Sequence, residues 1–193
     1  MKAVRAELAQ ESPFISRLWG NRSVRIAFQI LMIVGFSALA AIAKKAHPSI
    51  GIPGSSGVYW LTAMIIGRSS TRWDGAGFLT GVGVAAWGIP FGLEHTFGYN
   101  IALYGCAGLL IDIIARLPRI DIRHPVGAML CGFTAHMAKY GFIVVTALTA
   151  SLTKHFLIVG LLNAALLHAV FGIAAGLLGW GLVRVARKVT ERL

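Results

Sequence analysis

Residues 156–185 read FLIVGLLNAALLHAVFGIAAGLLGWGLVRV, a run of 30 residues in which Arg184 carries the one formal charge. An α-helix rises about 1.5 Å per residue and the hydrocarbon core of a bilayer is about 30 Å thick, so roughly 20 apolar residues are enough to cross it. The run reads as a membrane-spanning helix. Working back along the chain, further apolar runs cover 125–150, 99–115, 75–92, 50–67 and 24–43, making six in all. The whole chain of 193 residues is 56% hydrophobic and 13% charged, with a mean hydropathy of +0.73, whereas a water-facing domain carries about a quarter charged residues. Strict two-residue alternation over ten-residue segments, the mark of a membrane barrel, is missing from the sequence. The expected fold class is an all-α integral membrane protein with six transmembrane helices.

A net charge of +11 would suggest nucleic-acid binding in a soluble protein. Here the placement of the cations explains it better. Lys2, Arg5, Arg17, Arg22, Arg25, Arg68, Arg72, Arg116, Arg119, Arg123, Arg184, Arg187, Lys188 and Arg192, 14 of the 18 basic residues, fall on one side of the six runs, and only Lys44, Lys45 and Lys154 on the other. Short positive loops stay in the cytoplasm, so both termini are expected inside, in the cytoplasmic (inner) membrane of a multi-pass protein, with lipid and no nucleic acid as partners. The division is a cytoplasmic N-terminal segment at 1–23, a transmembrane domain at 24–186 and a cytoplasmic tail at 187–193. Within 1–23, Ser12 and Pro13 fit the cap and first turn of an interfacial helix, and an unstructured tail fits equally. The segment lacks the apolar core and small-residue cleavage site of a signal peptide. Cys106 and Cys131 lie inside spans and read as packing residues.

The connection between the first two helices breaks the pattern. Pro48-Ser49-Ile50-Gly51-Ile52-Pro53-Gly54-Ser55-Ser56-Gly57 holds two prolines and three glycines and cannot be continuous helix. Unpaired amides at membrane depth cost several kcal/mol each unless protein or water covers them. The expectation is an irregular loop that dips into the fold and lines a cavity, with the amides at the start of the second helix facing it. An exposed loop ahead of a short tilted helix is the alternative. Small residues recur at helical spacing in three spans: Ser37 and Ala41; Gly77, Gly81 and Ala85; Ala164, His168, Gly172 and Gly176. Such stripes permit close helix approach, most of it internal.

Lys139 lies within the fifth run, where a buried cation costs at least about 2.5 kcal/mol. A bound anionic ligand, a neutral side chain, or access to an aqueous cavity would each relieve that cost. Asp112 has a local candidate partner in Arg116, four residues on. His136 and Tyr140 share a helix face beside Lys139; Asn100 and Tyr104 share one on the fourth helix; Asn163 enters the sixth. With Trp60, Trp87 and the loop residues Gly54, Ser55 and Ser56 they form the candidate substrate-binding set, aromatics for a ring and polar tips for orientation. Interfacial anchoring is an equal reading for Trp60 and Trp87 taken singly, and His168 reads as an interhelical hydrogen-bonding group. No His-x-x-x-His, Cys-x-x-Cys or Gly-x-x-x-x-Gly-Lys-Ser/Thr occurs, so neither a metal nor ATP is expected as a cofactor of this chain.

Six helices with both termini inside, small residues in the first helix and Ile52-Pro53-Gly54-Ser55-Ser56-Gly57 before the second resemble an S component, the substrate-binding membrane subunit of an energy-coupling factor (ECF) transporter. The loop, Gly67, the glycine-rich third span and the stretch 100–108 are also similar to the membrane subunit of the cobalt and nickel branch. The resemblance implies a subunit that captures a vitamin or other micronutrient under the loop after the first helix, against the last three helices. It implies as partners a small-molecule substrate, a scaffold membrane subunit and ATPase subunits that use ATP. The family's Ala-x-x-x-Ala docking contact has its nearest match in Ser37-x-x-x-Ala41. The Met-His amino terminus of the cobalt and nickel subunit is replaced here by Met-Lys-Ala, which argues against metal cargo. Two other functions compete: a noncatalytic membrane anchor of a larger complex, and a rhomboid-like intramembrane serine protease suggested by Gly54-Ser55-Ser56-Gly57 and His168. The protease reading places its serine before the second helix instead of on the fourth, so a non-enzyme is expected.

Overall fold

The computed structural model describes residues 21–47, 51–93, 96–149 and 154–190. Expectations about the segment around Ser12 and Pro13, about 48–50 and about the end of the tail lie outside these residues. The described chain is all helical: α1 (Arg22–Ala46), α2 (Gly57–Ser70), α3 (Ala76–Phe91), α4 (Phe97–Arg116), α5 (Pro125–Thr149) and α6 (Lys154–Thr190). Four of them, α1, α4, α5 and α6, contain stretches long and apolar enough to cross a bilayer. The protein is a multi-pass membrane protein. Helix α6 runs to Thr190, past the expected boundary at 186, and its last turn carries Arg187 and Lys188, cations that favour the negative end of a helix dipole.

Local chemistry sets the ends. Asn21 caps α1, its side chain accepting from the Ser23 amide at 2.9 Å. Pro90 sits in the last turn of α3, and Gly92, at φ +61°, turns the chain out of the helix while its amide and that of Leu93 bond back to Ile89 and Gly88. Lys45 donates to the Gly92 carbonyl at 3.0 Å and ties the end of α1 to that turn.

Helix α2 is central. With 14 residues, about 21 Å, it is too short to cross alone. Gly57, Trp60, Leu61, Ala63, Met64, Ile65, Gly67 and Ser69 are buried, covering nearly its whole circumference. It contacts α1, α3, α4, α5 and α6, which follow one another around it in the order α1, α3, α4, α5, α6. In a bilayer such packing gains little from apolar burial and depends on dispersion at short range, so small residues decide where backbones meet. Gly77 lies against the Gly108 carbonyl and Gly81 against that of Tyr104, joining α3 to α4. Gly132 and Gly172 meet backbone to backbone, and Gly176 meets Ala128, joining α5 to α6. Both stripes are internal. So is the first: Ser37 and Ala41 are fully buried, and Ser37 packs on Gly83 of α3. The expected docking contact of Ser37 and Ala41 is therefore corrected to a contact inside the chain, because α1 turns that face to α3 and leaves Leu31, Val34 and Leu39 outward. Where α4 meets Gly81, residues Ile101–Gly105 form a π turn, one residue wider than the α-helix on either side.

At the arginine-rich end a second correction appears. Asp112 pairs with Arg68 of α2, not with Arg116: Arg68 Nε is 2.6 Å from Asp112 Oδ1, with side-chain exposures of 11% and 1%. The same carboxylate accepts from the amides of Gly77 at 3.1 Å and Phe78 at 2.8 Å, capping the first turn of α3. A buried carboxylate needs several donors, and the i+4 arginine on its own helix points to solvent, where it meets Asp74 at 3.6 Å. Gln29 accepts from the Arg72 amide at 3.1 Å and brings α1 to the same junction.

Candidate functional site

The irregular connection does enter the fold. Gly51, Ile52 and Pro53 are exposed, whereas Ser55, Ser56 and Gly57 are buried. Two glycines make the descent possible. Gly54 has φ +82°, and a Cβ there would press on the rings of His168 and His136 at 3.1 and 3.2 Å. At Gly57 a Cβ would overlap the His136 ring at its Nε2 edge. The turn is thus packed directly on α5 and α6. Its amides are used locally: Ser55 donates to Ile52, Gly57 to Gly54, Val58 to Ser55 and Tyr59 to Ser56. This corrects the expectation that the first amides of α2 face an open cavity; a tight series of i to i+3 bonds satisfies them before a ligand would.

Around the turn the structure gathers most of the candidate set. Lys139 donates to Ser56 Oγ at 3.4 Å and lies 5.9 Å from the centre of the Trp60 ring. The lysine thus has partners within the chain, a hydroxyl and an aromatic face, which the sequence did not reveal. Trp60 meets Tyr104 edge-on at 5.0 Å and His136 at 6.1 Å. Tyr140 donates to the Leu161 carbonyl at 3.0 Å and leans on His168 at 5.8 Å. Asn100 is buried in the first turn of α4, four residues before Tyr104. Ser55 Oγ lies 3.3 Å from His47 Nε2, and His47 in turn packs on Tyr59.

His168 belongs to this group although sequence reasoning left it out of the substrate-binding set. Its ring stacks on His136 at 4.6 Å and 27°. His136 Nδ1 is 2.7 Å from the His168 carbonyl, and His168 Nδ1 is 2.8 Å from the Ala164 carbonyl. A carbonyl only accepts, so both Nδ1 atoms carry protons and both rings turn Nε2 the other way. The expected interhelical bond of His168 is thus made by its backbone, while its ring bonds within α6. Among the described residues, His136 Nε2, His168 Nε2 and Trp60 Nε1 are buried without a hydrogen-bond partner. Three unsatisfied ring nitrogens in one cluster are unusual for a packed interior, since each costs about 1–3 kcal/mol.

Two candidates fall elsewhere. Asn163 is exposed: α6 buries Ala164, His168 and Gly172, and a residue next to Ala164 turns about 100° off that face. Trp87 stacks on Phe91 at 5.7 Å and 16° along α3, packing on the edge of the core. As for the Ser-His dyad of the protease reading, Ser56 Oγ bonds with Lys139, and no hydrogen bond joins it to His168 among the described residues. Among the described residues no group of three or more His, Cys, Asp or Glu converges as a metal site. The chain matches no family model, no curated protein and no solved structure.

Proposed function

We propose that the protein is a substrate-binding membrane subunit of the ECF type, capturing a small and anionic micronutrient at the end of the bundle where the 51–57 turn meets α4, α5 and α6. The observation that carries this reading is the cluster itself: an irregular turn brings Ser56 to Lys139 and Ser55 to His47, beside three aromatic or imidazole nitrogens without a hydrogen-bond partner among the described residues. A ligand seated there would compete for the long Lys139–Ser56 bond and offer partners to the ring nitrogens, with Lys139 as counter-charge to an anionic group. Six spans with both termini in the cytoplasm, and residence in the inner membrane, complete the proposal and rest on the distribution of basic residues. Coupling would require a scaffold membrane subunit and ATPase subunits. With Ser37 and Ala41 turned inward, the outward face of α1 is the surface such a scaffold would meet.

Binding of small molecules to the purified full-length chain, followed by native mass spectrometry and then by titration of the retained compound, tests the reading. Lys139→Ala should weaken that binding at least about tenfold, equivalent to about 1.4 kcal/mol, while moving the unfolding temperature little. Normal binding by the variant would remove the anion from the proposal.

A second reading is favoured by one observation. Lys139 and Arg68 both have partners inside the chain, as expected of a noncatalytic anchor that needs no ligand. Stable co-purification with an unrelated membrane complex, with no retained compound, would establish that reading instead.

A further inference from the structure

The helices around α2 do not close into a ring. Each neighbours the next except α1 and α6, which make no close backbone approach among the described residues. A cleft of about 660 Å³ lies between them, floored by Ile66 of α2 and walled by Met32, Phe36, Leu182 and Val183. Arg72, Arg123 and Arg187 line its polar end. A second cleft, about 550 Å³, shares Arg123, Val183 and Arg187 with the first and adds Trp180, Arg184 and Lys188. The two are therefore one continuous amphipathic surface, apolar toward the bilayer interior and cationic at the arginine-rich end.

Trp180 anchors two of these cationic positions. Trp180 Nε1 donates to the Arg123 carbonyl at 3.1 Å, and the Arg184 guanidinium lies 5.3 Å from the Trp180 ring centre. The two ion pairs found among the described residues, Arg68 with Asp112 and Arg116 with Asp74, leave Arg123, Arg184, Arg187 and Lys188 out. Asp121, the acid two residues before Arg123, accepts from the Arg123 amide at 2.8 Å and lines two neighbouring clefts, not these, while Glu191, which follows Lys188 by three residues, lies outside the described residues.

We propose that this junction binds an anionic phospholipid, its phosphate between Arg123, Arg184, Arg187 and Lys188 and one acyl chain in the groove between α1 and α6. A free inorganic anion would use only the cationic half. A lipid with a zwitterionic headgroup would bring a phosphate to the cationic half but a positive group with it, against the same arginines. A ligand that combines net negative charge with a long chain satisfies both, and basic pockets between helices at a membrane surface suit such headgroups. The site lies apart from the Lys139 cluster and does not depend on the transport reading.

The full-length protein, delipidated in mild detergent and titrated with phosphatidylglycerol or phosphatidylcholine, provides the test by native mass spectrometry. Phosphatidylglycerol should be retained in preference to phosphatidylcholine. Each cation removed should weaken retention about fivefold, so Arg123→Gln with Arg187→Gln should weaken it about 25-fold, while Arg22→Gln with Arg25→Gln should not change it. Ala186→Phe, which narrows the groove without altering charge, should weaken the long-chain lipid more than a glycerophosphate lacking chains. Unchanged retention in the double variant overturns the proposal. So does displacement of the lipid by inorganic phosphate at equal concentration, which would make this a free-anion site, or by an acidic partner chain, which would make it a protein interface.

Discussion

The two ends of the bundle handle buried polarity in opposite ways. At the arginine-rich end Asp112 receives a guanidinium and two backbone amides, so charge, helix cap and interhelical contact are satisfied by one carboxylate. At the other end, the turn at Ser55 and Ser56 meets a lysine at a long 3.4 Å, and three ring nitrogens nearby have no partner among the described residues. A saturated network holds one geometry, because any displacement breaks several bonds at once. An unsaturated one resists displacement weakly and gains whenever a polar ligand or water supplies what is missing. The first end is built as a lock, and the second has the properties of a site.

Breaking the lock should produce the largest effect. Asp112→Ala leaves Arg68 buried without its counter-charge and uncaps α3, and should cost about 3–5 kcal/mol in unfolding experiments in detergent. Asp112→Asn, which retains one acceptor oxygen, should cost less; equal losses would show that the cap contributes nothing. At the opposite end Gly57→Ala drives a methyl into the His136 ring. A loss of about 1–3 kcal/mol is expected, set against Gly35→Ala, where nothing lies within 4 Å and the helix should gain about 0.5–1 kcal/mol. If the two glycine variants behave alike, the turn is not seated on His136. The smallest effect is expected at Trp60→Phe. It removes a buried donor without a partner among the described residues while keeping a ring against Tyr104 and His136, so stability should change by about 1 kcal/mol or less and any ligand that bonds to the indole should bind more weakly. A large loss of stability would instead place a structural partner on Nε1.

Helix positions were legible in the sequence because a bilayer demands long apolar runs, and 75–92 and 125–150 nearly coincide with α3 and α5. The break before Gly57 was legible for the same reason that proline and glycine punctuate any helix. Pairings across helices were not. Arg68 and Asp112 stand 44 residues apart, whereas Arg116 offers the local spacing that helix rules favour. Asn163 and Ala164 are neighbours in the chain yet face opposite environments, and only the packing of α6 on α5 decides which is inside. His168 was visible as a member of a small-residue stripe, but its part in the cluster depends on the stacking with His136 that Gly54, Gly57 and Gly172 make room for.

The π turn at Ile101–Gly105 bears on how that cluster is oriented. A π turn is an α-helix with one residue too many, so it acts as a fixed angular offset along α4. Removing a single residue there would restore continuous α-helix and rotate Phe97–Asn100 by about 100° relative to Cys106–Arg116. Asn100 would then swing off the buried face while Asp112 kept its place. The N-terminal and C-terminal parts of α4 are thereby indexed separately, and the phase between them is set by one amino acid.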